Sequence, residues 1–353
     1  MQISLFDLEN RYAQLNKLKD PLVELNHVID WDLFADLLAE TTKKPRKSSA
    51  GRKPFDRVML FKMLILQRMN NLSDDRLEYQ VRDRLSFMRF LGLDLAGTVP
   101  DAKTMWAFRE DLKGSHLIER LFARFDECLR ELDVELKSGQ MIDATFVTVP
   151  KQRNPREENK IIKAGAVPVE WGQSPHKLAQ KDTEARWTKK GNELFYGYKD
   201  HANVDRDTKL ITAWEVTSAE VHDSQILEEV LQFPEVRGTD VYADSAYRSN
   251  AQEENLVASG HTSHIHEKGA RNHPLTEAQK SSNKEKSRVR ARVEHVFGSM
   301  TNELGGITIR TIGHVRAKVQ IGLLNLAYNI KRVATLIRKR HFSFDRVIAP
   351  KIA

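Results

Sequence analysis

Cysteine is nearly absent from this chain, which has one such residue, Cys128, in 353. A single cysteine excludes an internal disulfide framework and a zinc site built from cysteine thiolates. Cys128 lies in the apolar pattern LFARFDECLREL, where we expect it to be a small buried hydrophobic residue. Cysteine usage of this kind is typical of a cytoplasmic protein.

Long hydrophobic runs are also absent. The most apolar stretch, VMLFKMLIL, is interrupted by Lys62 and is far shorter than a membrane span. The first residues, MQISLFDLENRY, carry acids where a secretory signal has basic residues. We therefore expect a soluble protein that has no membrane partner.

The sequence has no glycine-rich phosphate loop after a strand, no P-loop lysine motif and no G-x-S-x-G motif. Nucleotide-cofactor chemistry and serine hydrolysis therefore have no anchor in this chain. Basic residues exceed acidic ones, with Lys+Arg 56 against Asp+Glu 49 and a net charge of +7. This balance favours a polyanionic partner, either nucleic acid or an acidic membrane surface.

The chain is long enough for two domains, because single cores seldom grow beyond roughly 250 to 300 residues. Residues 1–136 predict an all-helical domain. Within 54–112, amphipathic segments joined by tight turns are typical of a helix-turn-helix unit, with N-caps at Ser73 and Asp101. An ordinary helical bundle gives the same pattern. The basic segment KKPRKSSAGRK, which ends at Lys53, favours DNA binding because it suits an arm that contacts phosphates.

A mixed α/β domain is predicted over 137–340, where the hydrophobic period changes from helical to alternating. QMIDATFVTV, LFYGYKDHAN and KLITAWEVTS predict three strands, the last two in a hairpin whose turn contains Asp205 and Asp207. Helices and strands then alternate, with DSQILEEVLQF among the predicted helices. Residues 341–353 form a C-terminal tail.

A basic insertion separates the first two strands, over 150–194. We expect a mobile loop that contacts phosphates through Lys151 and Arg153, or else a solvated linker. Trp171 and Trp187 are its candidates for nucleic-acid contact. The other tryptophans lie in amphipathic patterns that predict core packing, and they are Trp31, Trp106 and Trp214.

Three acids stand out as chemical candidates. Asp143 lies inside the apolar strand MIDATFV, and Asp244 ends the strand TDVYAD, where α/β sheets tend to place ligands. Glu294 lies on the flank of a helix, one turn after Arg290. Carboxylates that converge from separate elements repel one another unless cations are bound, and their hard oxygens suit Mg²⁺. A pair of such ions supports phosphodiester displacement.

At this point the motifs MIDAT, ADSAYRS and RVEHVFG, together with PDAKTMWAFRE and LLNLAYNIKR, resemble those of the DDE transposases of bacterial insertion sequences. The nearest type is the insertion-sequence-five family of the insertion-sequence-four superfamily. The resemblance implies a ribonuclease-H-like catalytic core in which Asp143, Asp244 and Glu294 are the catalytic and metal-binding acids. It implies Mg²⁺ as cofactor, with Mn²⁺ able to substitute.

The resemblance also implies the partners: double-stranded DNA, as terminal inverted repeats and as target, and a second copy of the chain in a dimer or larger assembly. The implied localisation is the bacterial cytoplasm, in association with the nucleoid. Around the glutamate, Arg290 fits the superfamily pattern, but Ser287 and Thr301 replace its tyrosine and lysine. Further candidates for DNA contact are Arg248, Arg288 and Arg292. Lys199 and His201 share one face of the second strand, where they would approach the metals or the DNA, or else form an ordinary strand surface.

Two alternatives stay open: a DNA-binding protein without catalysis, and a metal-dependent nuclease without strand transfer. A zinc site is a weaker idea. His261, His264 and His266 with Glu267 invite it, but no further ligand has convincing spacing, so we interpret these histidines as polar strand or loop residues.

Overall fold

The computed structural model describes residues 7–41, 53–131, 134, 136–270 and 273–339. The basic segment before Lys53 and the tail at 341–353 lie outside the described residues. The chain forms two compact units, one containing residues up to 134 and from 326 onwards, the other containing 135–325. The sequence interpretation counts residues 326–340 in the second domain, whereas they group with the helical unit.

The first unit is helical in its described part. Its N-terminal helices are α1 (Asp7–Lys17), α2 (Pro21–Val28), α3 (Ala35–Ala39), α4 (Arg57–Met69), α5 (Asp74–Asp83), α6 (Leu85–Leu91), α7 (Ala102–Asp111) and α8 (Leu117–Glu131). Short 3₁₀ helices lie at Trp31–Phe34 and Gly114–His116. The predicted caps are confirmed: Ser73 Oγ accepts from the backbone of Arg76, and Asp101 Oδ1 accepts from that of Thr104. Cys128 is buried, as expected.

The amphipathic segment that begins at the Ser73 cap forms two helices, α5 and α6. The break falls at Arg84, whose backbone is extended (φ −102°, ψ 113°). Val81 and Phe87 are both buried. A continuous helix would turn two residues six positions apart by about 120° from each other, so the break lets both reach the core.

The exposed aromatics of this unit include Trp106, which the sequence assigns to the core. Trp106 is 56% exposed, and Tyr79 on α5 is 67% exposed. Helix α7 buries Met105 and Phe108 instead, which leaves Trp106 on its outer side. The prediction for Trp106 is wrong, whereas Trp31 is buried as expected.

The second unit is built on a mixed sheet. Its strands are β1 (Gln140–Thr148), β2 (Arg186–Lys190), β3 (Glu193–Asp205), β4 (Ile211–Ser218), β5 (Asp240–Tyr242) and β6 (Thr262–Ser263). Its helices are α9 (Arg156–Lys163), α10 (Val169–Gly172), α11 (Pro175–Ala179), α12 (Leu227–Val230), α13 (Pro234–Arg237), α14 (Asn250–Ala258), α15 (Glu277–Glu303) and the first part of α16 (His314–Arg338), with 3₁₀ helices at Asp223–Gln225 and Ser245–Tyr247.

Strand β1 lies between β3 and β5 in this sheet. It runs antiparallel to β3 and parallel to β5, and β6 continues the parallel part beyond β5. Strands β2 and β4 each pair antiparallel with β3, β2 with Glu193–Gly197 and β4 with Tyr198–Val204. The predicted three-strand meander is confirmed. Asp205 shapes the hairpin turn as expected, because its carboxylate accepts hydrogen bonds from the Thr208 backbone and hydroxyl.

One face of the sheet carries an apolar core that includes Ile142, Val241 and Ile265, packed with residues of α12 and α14. The stretch DSQILEEVLQF contributes buried apolar residues to this core. It is not the single helix that the sequence predicts. It forms a 3₁₀ helix and the four-residue α12, which ends before Pro234. The opposite face lies under α15, which packs on β1 and β5.

The insertion at 150–194 has a small core of its own. It forms α9, α10, α11 and β2 rather than an irregular loop. Trp171 is fully buried, and its Nε1 donates to Glu158 Oε1 at 2.8 Å. Trp171 is therefore not available to DNA, contrary to the prediction, whereas Trp187 is 42% exposed. Within the described residues, no helix combines the length and apolar composition that crossing a membrane requires.

Candidate active site

The first two acids stand side by side on neighbouring strands. In the parallel pair of β1 and β5, Gln140 lies opposite Val241 and Met141 lies opposite Tyr242. Both pairs are 101 positions apart, as are Asp143 and Asp244. The ladder ends at Met141 and Tyr242, and continuing its constant register by two residues places Asp143 opposite Asp244 on the same face, just beyond the carboxyl end of β5. The two carboxyls interact electrostatically.

Histidine 266 extends this row onto the third parallel strand. Strand β6 pairs with β5 at an offset of 22 positions, and His266 is 22 positions after Asp244. The backbone continues the ladder past the end of β6, because His266 N–H donates to the carbonyl of Ala243 at 3.2 Å. Asp143, Asp244 and His266 therefore form one row across three strands.

Helix α15 covers the row and supplies the third acid. Arg290 Nη1 donates to Asp143 Oδ2 at 2.8 Å, and Arg290 Nη2 donates to Glu294 Oε1 at 3.0 Å. The side chain of Asp143 is 14% exposed and that of Glu294 is 60% exposed. The guanidinium thus links an acid of the sheet to an acid of the helix, as the one-turn spacing of Arg290 and Glu294 predicts.

The electrostatics at Asp143 are finely balanced. Burial raises the pKa of its carboxyl to about 6, the charge of Arg290 lowers the pKa, and Asp244 raises it. The Asp244 carboxylate also caps the 3₁₀ helix that follows it, where it accepts from the Ala246 backbone at 2.7 Å. A positive charge placed between the two strands would stabilise the ionised form of Asp143.

The carboxylate oxygens are suitable metal ligands, but their positions do not form a complete coordination site. Among the described residues, no three His, Cys, Asp or Glu side chains converge closely enough to hold an ion. Asp143 and Asp244 offer adjacent hard oxygens of the type that Mg²⁺ prefers. Arg290 now supplies the positive charge to Asp143, and it draws Glu294 to itself.

Lys199 and His201 lie on the other face of the sheet from Asp143, since Asp143 pairs with Ala202 and side chains alternate along a strand. Lys199 Nζ donates to Asp223 Oδ1 and to the Val221 carbonyl, both at 2.7 Å. His201 is fully buried beside Thr217 Oγ1, and burial lowers its pKa to about 4. The prediction of DNA contact is wrong for His201, and Lys199 is committed to its ion pair.

Arg248 and Arg292 are also used within the fold. Arg248 is half-buried and pairs with Glu267 at 3.0 Å, while it donates to the Ile265 carbonyl. Arg292 is 45% exposed and pairs with Asp207 of the hairpin turn at 3.0 Å. Arg288 is exposed on α15. DNA contact by these three arginines stays a prediction.

Lys151 and Arg153 are exposed on the insertion, with Lys151 Nζ 5.8 Å from the ring centroid of Trp187. Lys53 is exposed just before α4 in the first unit. Their expected roles in DNA binding likewise stay predictions.

Sequence reasoning missed the place of His266 and of Tyr247. It weighed His266 only for zinc, although its distance from the strand-end acid Asp244 was a usable signal. The ring lies near Asp244 and Arg290, and its Nε2 is 3.3 Å from Ser287 Oγ. Tyr247 is fully buried, and its hydroxyl has no hydrogen-bond partner among the described atoms. Burial and the nearby Asp223 raise the pKa of that hydroxyl.

The helical unit, the mixed sheet and the acid row under α15 define a two-unit protein whose candidate active site is acidic. Residues 135–330 match the family described as "Transposase DDE domain", and residues 9–111 match "Transposase domain (DUF772)". The first match covers more than half of the chain, which therefore belongs to the DDE transposases. The predicted resemblance to this class is confirmed.

A solved structure also resembles the chain. It is the cryo-EM structure of a piggyBac transposase synaptic complex with hairpin DNA. The TM-score is 0.46 at 12% sequence identity, over 93% of this chain and 77% of that chain.

Proposed function

We propose that this chain is a DNA transposase of the insertion-sequence-five type that works in the bacterial cytoplasm on nucleoid DNA. It binds the inverted repeats at the ends of its element and hydrolyses a phosphodiester at each end to expose a 3′-hydroxyl. It then joins that hydroxyl to target DNA. The second unit is proposed to be a ribonuclease-H-like core, since an antiparallel meander followed by parallel strands on the other side of β1 supports that fold.

The observation that carries the proposal is the row of Asp143 and Asp244 at one level of the sheet, with Arg290 tying Asp143 to Glu294. Hydrolysis and strand transfer are both in-line displacements at phosphorus, with water and then a DNA hydroxyl as the nucleophile. One acidic site can therefore serve both steps. Asp143 is largely removed from solvent, and its pKa responds to the nearby charges of Arg290 and Asp244. A cation bound beside it would therefore favour its ionised form.

Asp143 and Asp244 would hold divalent cations, Mg²⁺ or Mn²⁺, and Glu294 would join them once Arg290 releases it. Such ions supply positive charge where negative charge develops on the attacking and leaving oxygens. Arg290, freed from the two acids, is then placed to pair with a DNA phosphate, because a guanidinium matches phosphate geometry.

The first unit is proposed to bind the element ends. On α5 and α7 it exposes Tyr79, Trp106 and Lys103, a combination of aromatic and basic side chains that suits nucleic acid. A helix-turn-helix role for 54–112 stays part of this proposal. Because two ends must be recombined together, the active assembly is proposed to be a homodimer or larger.

The test is an assay of cleavage and joining on duplexes copied from the DNA that flanks the gene. Wild-type protein with Mg²⁺ should nick these ends, and it should join pre-cleaved ends to a supercoiled plasmid. Asp244→Asn should abolish both reactions while end binding persists. Asp240→Asn is the matched control, since Asp240 begins β5, which Asp244 follows, but pairs with Arg206 and His264.

The outcomes separate the alternatives. Nicking without joined products would identify a nuclease. Binding without either reaction would identify a catalytically inactive DNA-binding protein, consistent with the replacement of the pattern's tyrosine and lysine by Ser287 and Thr301. Equal loss of cleavage in Asp240→Asn and Asp244→Asn would remove the specific role of Asp244.

A further inference from the structure

His266 and Ser287 form a polar pair at the edge of the acid row. The pair joins the strand side of the site to α15, with 3.3 Å between His266 Nε2 and Ser287 Oγ. Ser287 is exposed and His266 is half-buried, so the pair faces solvent next to Asp244. Ser287 stands where the superfamily pattern has tyrosine, so this chain presents a different pair of groups there.

The other polar groups around His266 are already paired. His264, two residues earlier on the same face, lies 3.2 Å from Asp240 and stacks on Tyr242 with ring centroids 4.5 Å apart. Glu267 pairs with Arg248 at 3.0 Å, and its second oxygen is 3.6 Å from Lys286 Nζ. Because His264 and Glu267 already have these partners, the arrangement of the histidines does not favour a zinc site.

Both signs of charge lie near this pair. The positive charges of Lys286 and Arg290 and the negative charge of Asp244 all act on His266. Lys286 Nζ also donates to the Ile265 carbonyl at 2.9 Å, which fixes a positive charge one residue from His266. A hydroxyl and a ring N–H beside fixed cations make a site for a phosphate oxygen.

We propose that His266 and Ser287 together contact a DNA phosphate beside the bond that is cleaved, and that this pair holds the strand against Asp244. This proposal rests on the proposed function. It makes His266 a substrate-binding residue of the site rather than a metal ligand or a structural histidine. Ser287 contributes through its hydroxyl, and Arg290 completes the contact when it leaves the acids.

The experiment uses the full chain, DNA duplexes in which a single phosphate is replaced by an uncharged methylphosphonate, and the variants His266→Ala and His266→Gln. Wild type should lose about ten-fold in affinity at one methylphosphonate position. His266→Ala should lose about ten-fold on unmodified DNA and nothing more at that position, because two changes to one contact are not additive. His266→Gln, which keeps an N–H in place, should restore the phosphate dependence.

His264→Gln is the matched control, and it should show the wild-type methylphosphonate pattern even if its melting temperature falls. A merely structural role of His266 would lower the melting temperature of His266→Ala but leave its methylphosphonate pattern like that of wild type, and that result overturns the proposal. So does a fall in Mn²⁺ affinity in His266→Ala, measured by calorimetry, that equals the fall in Asp244→Asn.

The proposed function fails separately. If wild-type protein nicks neither the end duplexes nor a supercoiled plasmid in Mg²⁺ or Mn²⁺, catalysis is contradicted. The methylphosphonate comparison still decides whether His266 contacts DNA, because it measures binding alone.

Discussion

Two aspartates lie on the same face of adjacent strands, the partly exposed Asp143 under α15 and the buried Asp200 under α16. They are neighbours in the ladder, since Asp143 pairs with Ala202 and Asp200 pairs with Thr145. Burial raises both pKa values, to about 6 for Asp143 and to about 7 for Asp200. Asp143 meets a guanidinium and keeps an open side, whereas Asp200 is fully buried and accepts a hydrogen bond from Asn325 Nδ2 at 3.1 Å.

The difference shows that burial alone does not mark a catalytic acid. At Asp200, the amide of Asn325 lowers the pKa less than burial raises it, and Glu215 raises it further. A neutral carboxyl therefore suits that position. At Asp143, the charge of Arg290 opposes burial and favours the ionised form that a cation requires. A charged partner and access to solvent distinguish the candidate catalytic acid.

The largest effect should come from replacing the two acids separately. Asp143→Asn should abolish DNA cleavage, because the amide loses the anionic oxygen that a divalent ion needs. Asp200→Asn should keep cleavage per folded molecule, since its carboxyl faces Asn325 and not the row. End cleavage in Mg²⁺, normalised to folded protein by circular dichroism, measures both. Comparable loss in the two variants would end the distinction between them.

A second contrast lies in the pH dependence of stability. Burial raises the pKa of Asp200 in the folded protein to about 7, well above the ordinary value for an aspartate, so protonation of Asp200 stabilises the fold. That contribution is complete below about pH 4 and is lost as pH rises through about 7. The melting temperature of wild type relative to Asp200→Asn should therefore fall from about pH 4 and level off near pH 7.

For Asp143→Asn the same comparison should level off about one pH unit lower, near the pKa of about 6. Differential scanning fluorimetry at half-unit steps measures both curves. A difference between wild type and Asp200→Asn that rises with pH would show that Asp200 is ionised in the folded protein.

A smaller change in stability should follow from removing the partner of Asp200. Asn325→Leu leaves the buried carboxyl without its hydrogen bond and should lower the free energy of unfolding by about 1–3 kcal/mol. The double variant Asp200→Leu with Asn325→Leu should recover most of that loss, because replacing both polar partners by apolar ones is nearly neutral. Urea denaturation of the full chain gives the values. Without recovery in the double variant, the pair is not the cause.

Much of the fold was predictable because its signals are local. The N-caps at Ser73 and Asp101, the hairpin turn at Asp205 and the change of period before β1 each depend on a few adjacent residues. The sequence positions of Asp143, Asp244 and Glu294 mark them as candidates, and the resemblance of motifs implies their catalytic roles. Their arrangement was not predictable, because it depends on the parallel register of β1 with β5 and on where α15 crosses them.

The errors share a physical cause, which is that sequence alone does not show which faces are covered. Strand β3 is buried along Tyr196–Asp205, with strands on both sides and cover on both faces, so its polar residues look exposed in sequence and are not. The DNA contact expected of His201 fails for that reason. Trp171 and Trp106 exchange their expected roles because the insertion builds a core and α7 turns its tryptophan outward.

The smallest effect should come from replacing Arg290, whose guanidinium pairs with Asp143 and has no counterpart at Asp200 among the described residues. Arg290 competes with a cation for Asp143, so Arg290→Gln should bind Mn²⁺ several-fold more tightly than wild type at pH 8, which is above the Asp143 pKa of about 6 in the wild type. Arg292→Gln is the matched control, because its guanidinium pairs with Asp207 and not with the row. Calorimetry measures the affinities, and a gel-shift assay should show weaker DNA binding by Arg290→Gln. Unchanged or weaker Mn²⁺ binding in Arg290→Gln would contradict this competition and would mean that the guanidinium supports the metal site, because it keeps the Asp143 carboxyl ionised.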